Sequence, residues 1–280
     1  MTTPINTPTP PEMVESTVSA MQAKASTSPL KTFLLALPGG GLIALGFAFF
    51  VNTQLGAADV PAGLIKLIGG MTFSVGLMMV VLTGAELFTS TTMSLSAKLA
   101  GRITWGQWIR HWVLSYVGNF VGAMLVVGLC YFGRLQDRNG GAWGEIVSKT
   151  AAAKVSYPWM EAFVLGIGAN FFVCIAVFMA FSGRTTTDKI LAVIGPITAF
   201  VALGLEHSVA NMFMIPFGII LGDNPALTWS NFIFANLIPV TLGNIIGGGV
   251  AVGLFQWFIH QKLGAKPPQT DAVVSSKVAR

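Results

Sequence analysis

The stretch Gly84-Ala85-Glu86-Leu87-Phe88-Thr89-Ser90-Thr91 interrupts one apolar run, and Gly204-Leu205-Glu206-His207-Ser208-Val209-Ala210-Asn211 interrupts another in the same way. Each places Gly-x-Glu at the end of one apolar segment and hydroxyl or amide residues at the start of the next. Ionisable groups at membrane depth are costly and face protein or a wet cavity. A matched pair of interrupted helices in the two halves of a chain points to a solute site near the bilayer midplane. The pair predicts a membrane channel or transporter, with His207 as the titratable group inside it.

The rest of the chain agrees with that setting. Apolar residues make up 53% of the 280 and charged residues only 10%, against roughly a quarter charged in a soluble domain. Apolar stretches long enough to cross a bilayer give six expected spans, at 30–54, 64–99, 109–133, 158–183, 189–221 and 232–261, with the breaks in the second and fifth. A polar segment, 1–29, precedes this single domain of 30–261, and a polar tail, 262–280, follows it. Residues 1–28 are polar, rich in Thr and Pro, and lack the apolar core of a signal peptide.

The two halves repeat, roughly 30–133 and 158–261. Tyr116-Val117-Gly118-Asn119-Phe120-Val121-Gly122-Ala123 resembles Thr241-Leu242-Gly243-Asn244-Ile245-Ile246-Gly247-Gly248, and Phe33-Leu34-Leu35 matches Phe163-Val164-Leu165 more weakly. Three spans per half is an odd number, so the second copy enters the membrane the other way up. The expected fold is an all-α membrane protein, an inverted repeat of three plus three helices with a site between the repeats. The glycines of Gly118-x-x-x-Gly122 and Gly243-x-x-x-Gly247 share a helix face and permit close backbone approach, within the chain or between protomers.

Charge sets the orientation. Lys24, Lys31, Lys98, Arg102, Arg110, Arg184, Lys189, Lys262, Lys266, Lys277 and Arg280, eleven of the sixteen basic residues, fall on one side of a six-span chain. The positive-inside rule puts that side, and both termini, in the cytoplasm. The same distribution excludes a nucleic-acid face, which needs basic residues clustered on a soluble surface. The seven tryptophans fall near span ends and read as interfacial anchors. Cys130 and Cys174 lie in apolar spans as packing residues.

No phosphate loop, nucleophile elbow or metal-ligand spacing is present in the sequence, so neither an enzyme nor a bound cofactor or metal is expected. His111 and His260 lie at span ends and read as headgroup-level polar residues. His207 reads as a gate or proton-exchange group, or else as an imidazole that bridges the broken backbone; Asn211 is placed to orient it. Thr89 and Ser90 are candidates to cap free N–H groups. Glu86 and Glu206 are expected to be structural acids that accept backbone N–H bonds at the breaks. The half-helix N-termini aim partial positive charge at the membrane centre and favour an anion without a fixed cation. Lys154 either draws anions into a vestibule or snorkels at the interface. Phe73, Leu77, Leu87, Phe88 and Phe200 flank the breaks as a constriction or as ordinary packing.

With Gly101-Arg102-Ile103-Thr104-Trp105-Gly106-Gln107, the stretch from Glu206 to Pro216, and Asn236-Leu237-Ile238-Pro239-Val240-Thr241-Leu242-Gly243-Asn244 added to the first break, the chain resembles the formate/nitrite transporter family, nearest its formate channels. The match runs from about Leu30 to His260. Where this chain has Glu86 the family commonly has Asp. The resemblance implies an aquaporin-like protomer, a homopentamer with one pore per protomer, and passage of formate and similar small monocarboxylates through the bacterial cytoplasmic membrane. It also implies pathway roles for Leu87, Phe88, Thr89, His207, Phe73, Leu77, Phe200, Asn170 and Lys154. Nitrite, hydrosulfide or lactate remain alternative solutes, and a proton-coupled carrier an alternative to a channel.

Overall fold

The structure is a computed structural model that describes residues 7–263. The charges of the expected tail beyond Lys262, namely Lys266, Lys277 and Arg280, lie outside the described residues. Every regular element among the described residues is helical: α1 (Pro10–Ala25), α2 (Pro29–Thr53), α3 (Ala62–Thr83), α4 (Phe88–Thr91), α5 (Ser94–Leu99), α6 (Trp105–Phe132), α7 (Ala142–Ser156), α8 (Trp159–Ala180), α9 (Thr186–Ala202) and α10 (Ser208–Leu221). A last helix, α11 (Asn231–Leu263), mixes α and π turns.

Five of these, α2, α3, α6, α8 and α11, are long and apolar enough to cross a membrane. The expected span at 189–221 is divided between α9, of 17 residues, and α10, of 14. Neither reaches the roughly 20 residues a crossing needs. Large apolar side chains such as Leu125, Leu129, Phe132, Met160 and Leu191 are more than 60% exposed. Water penalises such a fringe and hydrocarbon does not.

Both break sequences end their helices by the same device. Gly84 and Gly204 adopt φ of 72° and 71°, a left-handed conformation that glycine takes without a Cβ penalty. Three residues outside any helix follow in each case. Leu87 (φ −116°, ψ 119°) and His207 (φ −118°, ψ 114°) occupy the same backbone state just before the next helix. After the first break the helix is short, α4 and α5 being separated by a tight turn at Thr92 and Met93. After the second, α10 runs on without interruption.

The small-residue faces pack within the chain. A Cβ on Gly122 would meet the Leu37 carbonyl oxygen of α2, and one on Gly247 would meet the Ile167 carbonyl oxygen of α8. Close contacts of this kind seat α6 on α2 and α11 on α8, in equivalent positions of the two halves.

Two polar stretches hold helices that composition hid. The 1–29 segment contains α1, which begins at a capping carboxylate: the Thr9 N–H donates to Glu12 Oε2 at 2.7 Å. It buries Met13, Val14, Val18, Met21 and Ala25 against Met93, Ala97, Ile103 and Phe178. The long 134–157 connection contains α7. Trp143 at its start is buried against Phe217, with ring centroids 5.6 Å apart, and is not an interfacial anchor.

Candidate functional site

An interrupted helix frees backbone groups that lipid cannot satisfy. Two asparagines satisfy them here. Asn119 on α6 accepts from the Phe88 N–H at 2.7 Å and donates to the Ala36 and Glu86 carbonyls, both at 2.8 Å. Asn244 on α11 accepts from the Ser208 N–H at 2.9 Å and donates to the Gly166 and Glu206 carbonyls at 2.7 and 3.0 Å. The break backbone also bonds the neighbouring long helix: Glu86 N–H to the Leu35 carbonyl, Glu206 N–H to the Leu165 carbonyl. An amide donates and accepts, so one side chain closes both polarities. A carboxylate only accepts.

The backbone N–H bonds expected for Glu86 and Glu206 are not formed; each carboxylate binds side chains instead. Glu206 Oε1 accepts from Lys154 Nζ at 2.7 Å, and its Oε2 from the Asn211 and Asn236 amides at 2.7 and 3.1 Å. Glu86 Oε1 accepts from Lys24 Nζ at 2.7 Å, while its Oε2 meets His111 Nε2 at 2.8 Å and the Thr91 hydroxyl at 3.3 Å. Lys24 and Lys154 are counterparts, as are Thr91 and Asn211, and His111 and Asn236. Both carboxylates are almost wholly buried; Lys154 is 13% exposed and Lys24 30%.

The centre joins the two breaks. His207 Nε2 lies 2.9 Å from Thr89 Oγ1, and His207 Nδ1 accepts from the Ala210 N–H at 3.0 Å. His207 thus caps α10 with its ring. Because Nδ1 is engaged as an acceptor, the ring proton sits on Nε2 and points at the Thr89 oxygen. The Thr89 hydroxyl is then left with its own proton to offer to a solute. The Asn211 N–H donates to the His207 carbonyl at 2.9 Å as part of the helix, but its side chain does not bond the His207 ring; it is held by Glu206 and Asn236. Thr89 and Ser90 do not cap N–H groups either, since the Ser90 hydroxyl donates back to the Leu87 carbonyl.

A cavity lies to each side of this pair. One, of about 190 Å³, is lined by Lys154, Glu206, Asn211, His207, Phe73 and Phe200, among others. The other, of about 280 Å³, is lined by Lys24, Lys189, Gly84, Ala85 and Ser90, the neighbour of Thr89. Phe73 and Phe200 meet edge to face at 5.5 Å, and Phe200 lies 6.0 Å from the His207 ring. Leu77 and Leu87 are fully buried on neither cavity. Phe88 packs on Tyr116 and Trp112. Asn170 ties the Thr89 and Asn244 carbonyls together at 3.0 and 2.6 Å. Cys174 sits beneath, its thiol 3.3 Å from the Thr89 carbonyl, and Cys130 is buried elsewhere without a partner cysteine.

Sequence reasoning missed Asn119, Asn244, Asn236, Lys24 and His111. His111 is 1% exposed and bound to Glu86, so it is not a headgroup-level residue. A signal for the asparagines existed in the repeated Gly-Asn-x-x-Gly, which reads first as packing.

The family profile described as formate/nitrite transporter matches residues 11–258. The chain is 44% identical to a formate channel FocA of Haemophilus influenzae over 267 residues, 90% of this chain and 94% of that one. It is 46% identical to formate channel FocA of Escherichia coli strain K12 over 253 residues, 85% and 89% of the two chains. Among solved structures it is similar to a pentameric formate channel with formate bound, with a TM-score of 0.78 at 41% identity, covering 83% of this chain and 97% of that one. It is also similar to an FNT family ion channel, with a TM-score of 0.79 at 29% identity, covering 89% and 98%. With its paired breaks, its amide clamps and this likeness along nearly its whole length, the chain belongs to the formate/nitrite transporter family.

Proposed function

We propose that the protein is a formate channel of the bacterial cytoplasmic membrane, with six spans, the second and fifth broken, arranged as an inverted repeat. Both termini lie in the cytoplasm by the positive-inside rule, so the Lys24 cavity opens inward and the Lys154 cavity outward. The assembly is a homopentamer with a pore in each protomer, a reading supported by the likeness to a pentameric formate channel. The observation that carries the reading is the Thr89–His207 hydrogen bond, 2.9 Å long, between two lysine-lined cavities.

A small anion is drawn into either vestibule by a lysine whose charge is balanced, not cancelled, by a buried carboxylate. Phe73 and Phe200 strip water on the outer approach, while Leu77, Leu87 and Phe88 pack behind the cavities and brace the breaks. At the centre the carboxylate meets the Thr89 hydroxyl and the Nε2 proton of His207, both donors. Neither is a fixed cation, so the solute is bound weakly enough to leave. Protonating His207 at Nδ1 would set two N–H groups against each other at Ala210, so the ring serves the pathway first as a hydrogen-bond donor and gate. Similar small monovalent anions share the requirements of size and charge.

The test is solute flux into liposomes holding the purified protein. Formate passes, related anions compete with it, and uncharged solutes such as glycerol do not cross. Passage of glycerol with no anion flux would replace the reading by a neutral-solute pore.

A further inference from the structure

The molecule holds two buried histidines at its polar centres, and they are built for opposite states. His207 has both ring nitrogens engaged, Nδ1 as an acceptor from a backbone N–H. His111 has only Nε2 engaged, against the Glu86 carboxylate at 2.8 Å. Its Nδ1 is buried and without a partner. Ser115 Oγ, one turn further along α6, and Trp108 Nε1, one turn earlier, are also buried and unpartnered. Positions 108, 111 and 115 share one helix face, so the unsatisfied polar atoms form a stripe along α6. A proton taken up at His111 Nδ1 breaks no hydrogen bond and leaves an imidazolium in contact with a carboxylate. The mirror position in the other half holds Asn236, which donates to Glu206 and cannot take a proton.

We infer that His111 is a proton-binding site on the Lys24 side of the protein, and that its protonation raises capture of the anion there. This rests on the reading above for the direction of the two faces and for the anionic solute. With a neutral ring, Lys24 and Glu86 balance, and the Lys24 cavity keeps Lys189 as its further cation. With a charged ring, Glu86 has two cationic partners, and one positive charge is added behind the vestibule wall.

The charged groups facing His111 can be named element by element. Glu86 comes from the break before α4, and Lys24 from α1 by way of Glu86. On α6 itself Arg110 turns away to the Ala25 and Thr27 carbonyls. Lys98 of α5 lies over the Trp105 ring. Lys31, the only charge on α2, is exposed, and α4 and α10 carry none. Glu86 is thus the sole anion against the ring, which is the arrangement that holds an imidazolium. His111 does not touch the solute; it acts through Glu86 and Lys24 as a positioning residue.

Two measurements test this. The first needs no transport: imidazole nitrogen NMR of the full chain in lipid nanodiscs, with His111→Asn and His207→Asn to assign the rings. On acidification His111 gains a proton at Nδ1, whereas His207, whose Nδ1 accepts from the Ala210 N–H, keeps its Nε2–H form. A His111 ring that stays neutral throughout overturns the inference. The second is formate flux in inverted membrane vesicles, which present the cytoplasmic face outward. Acidifying that face lowers the KM for formate about fivefold, the effect of one added charge at short range in a wet site, with kcat little changed. His111→Asn, which carries the amide already seen at the mirror site, abolishes this shift. Asn236→His installs a similar response on the opposite face. A KM that follows pH equally in wild type and His111→Asn overturns the capture role. Vesicles that pass no formate at all fail the transport reading, while the NMR titration still decides the proton site.

Discussion

Leu87 and His207 stand at the same backbone position of the two breaks, within a few degrees of each other in φ and ψ, and do different work. Leu87 is a wholly buried apolar side chain; His207 caps the following helix and reaches across to Thr89. Around them the scaffold repeats almost contact for contact: an asparagine clamp, a glycine exit and a lysine–carboxylate pair on each side. The comparison separates two kinds of residue. What holds the breaks open is duplicated, because each half must satisfy the same freed backbone. What meets the solute or a proton is single, because one pathway has one centre.

If the duplicated parts carry the fold, the largest effects come from the clamps and are equal in the two halves. Asn119→Leu unpairs the Phe88 N–H and the Glu86 carbonyl, and Asn244→Leu the Ser208 N–H and the Glu206 carbonyl, at about 1–3 kcal/mol per group. Each is expected to destabilise the protein by about 4 kcal/mol or more and to lose the native oligomer in size-exclusion chromatography. A clear inequality between them would break the symmetry argument.

The acids sharpen the comparison because their surroundings differ. Glu206→Gln strands Lys154, which is 13% exposed, whereas Glu86→Gln strands Lys24, which is 30% exposed. Breaking a buried pair costs about 3–5 kcal/mol, and water relieves the more exposed lysine. Glu206→Gln should lower the unfolding temperature more than Glu86→Gln, and lower formate flux about tenfold against about threefold. Equal losses would mean that the surroundings of the two lysines do not matter.

The smallest effect belongs to α1, whose α7 counterpart lacks the same clamp. Arg102 binds Glu15 through both guanidinium Nη atoms, at 2.6 and 2.7 Å, and Gln261 adds a third contact at 2.8 Å. The Arg102 hydrogen bond holds the Glu15 carboxyl below its ordinary range. A lowered carboxylate stabilises the docked helix at neutral pH, and that contribution is lost as pH falls through the folded-state value, below about 4.5. Arg102→Met should loosen α1 by at most about 1 kcal/mol, since the pair is exposed. Faster hydrogen exchange confined to 10–25 would show it.

The breaks were legible because Gly-x-Glu followed by polar residues interrupts otherwise apolar text twice. The clamps were harder to see. Asn119 and Asn244 lie in Gly-rich repeats that serve close packing, and a buried asparagine looks the same in sequence whether it braces a turn or fills a gap. Lys24 and Lys154 each stand nine residues before the matched Phe33 and Phe163, but Glu86 and Glu206 repeat at a different offset, so nothing in the sequence joins lysine to acid. α1 hid behind Pro, Thr and Glu, although its buried residues recur at helical spacing. His111 sits less than two turns inside α6, close enough to the helix start to pass for a headgroup residue. Only the approach of Glu86 from a distant element gives it meaning.

The central claim is that the solute passes between Thr89 and His207, receiving hydrogen bonds from that pair. Stopped-flow formate flux in liposomes holding His207→Phe, measured across pH and beside wild type, tests it most directly. Loss of a donor to a charged acceptor is worth about 1.5–3 kcal/mol, so flux should fall about tenfold or more at every pH while the protein stays folded and oligomeric. A variant with the wild-type rate and the wild-type dependence on pH would contradict the account.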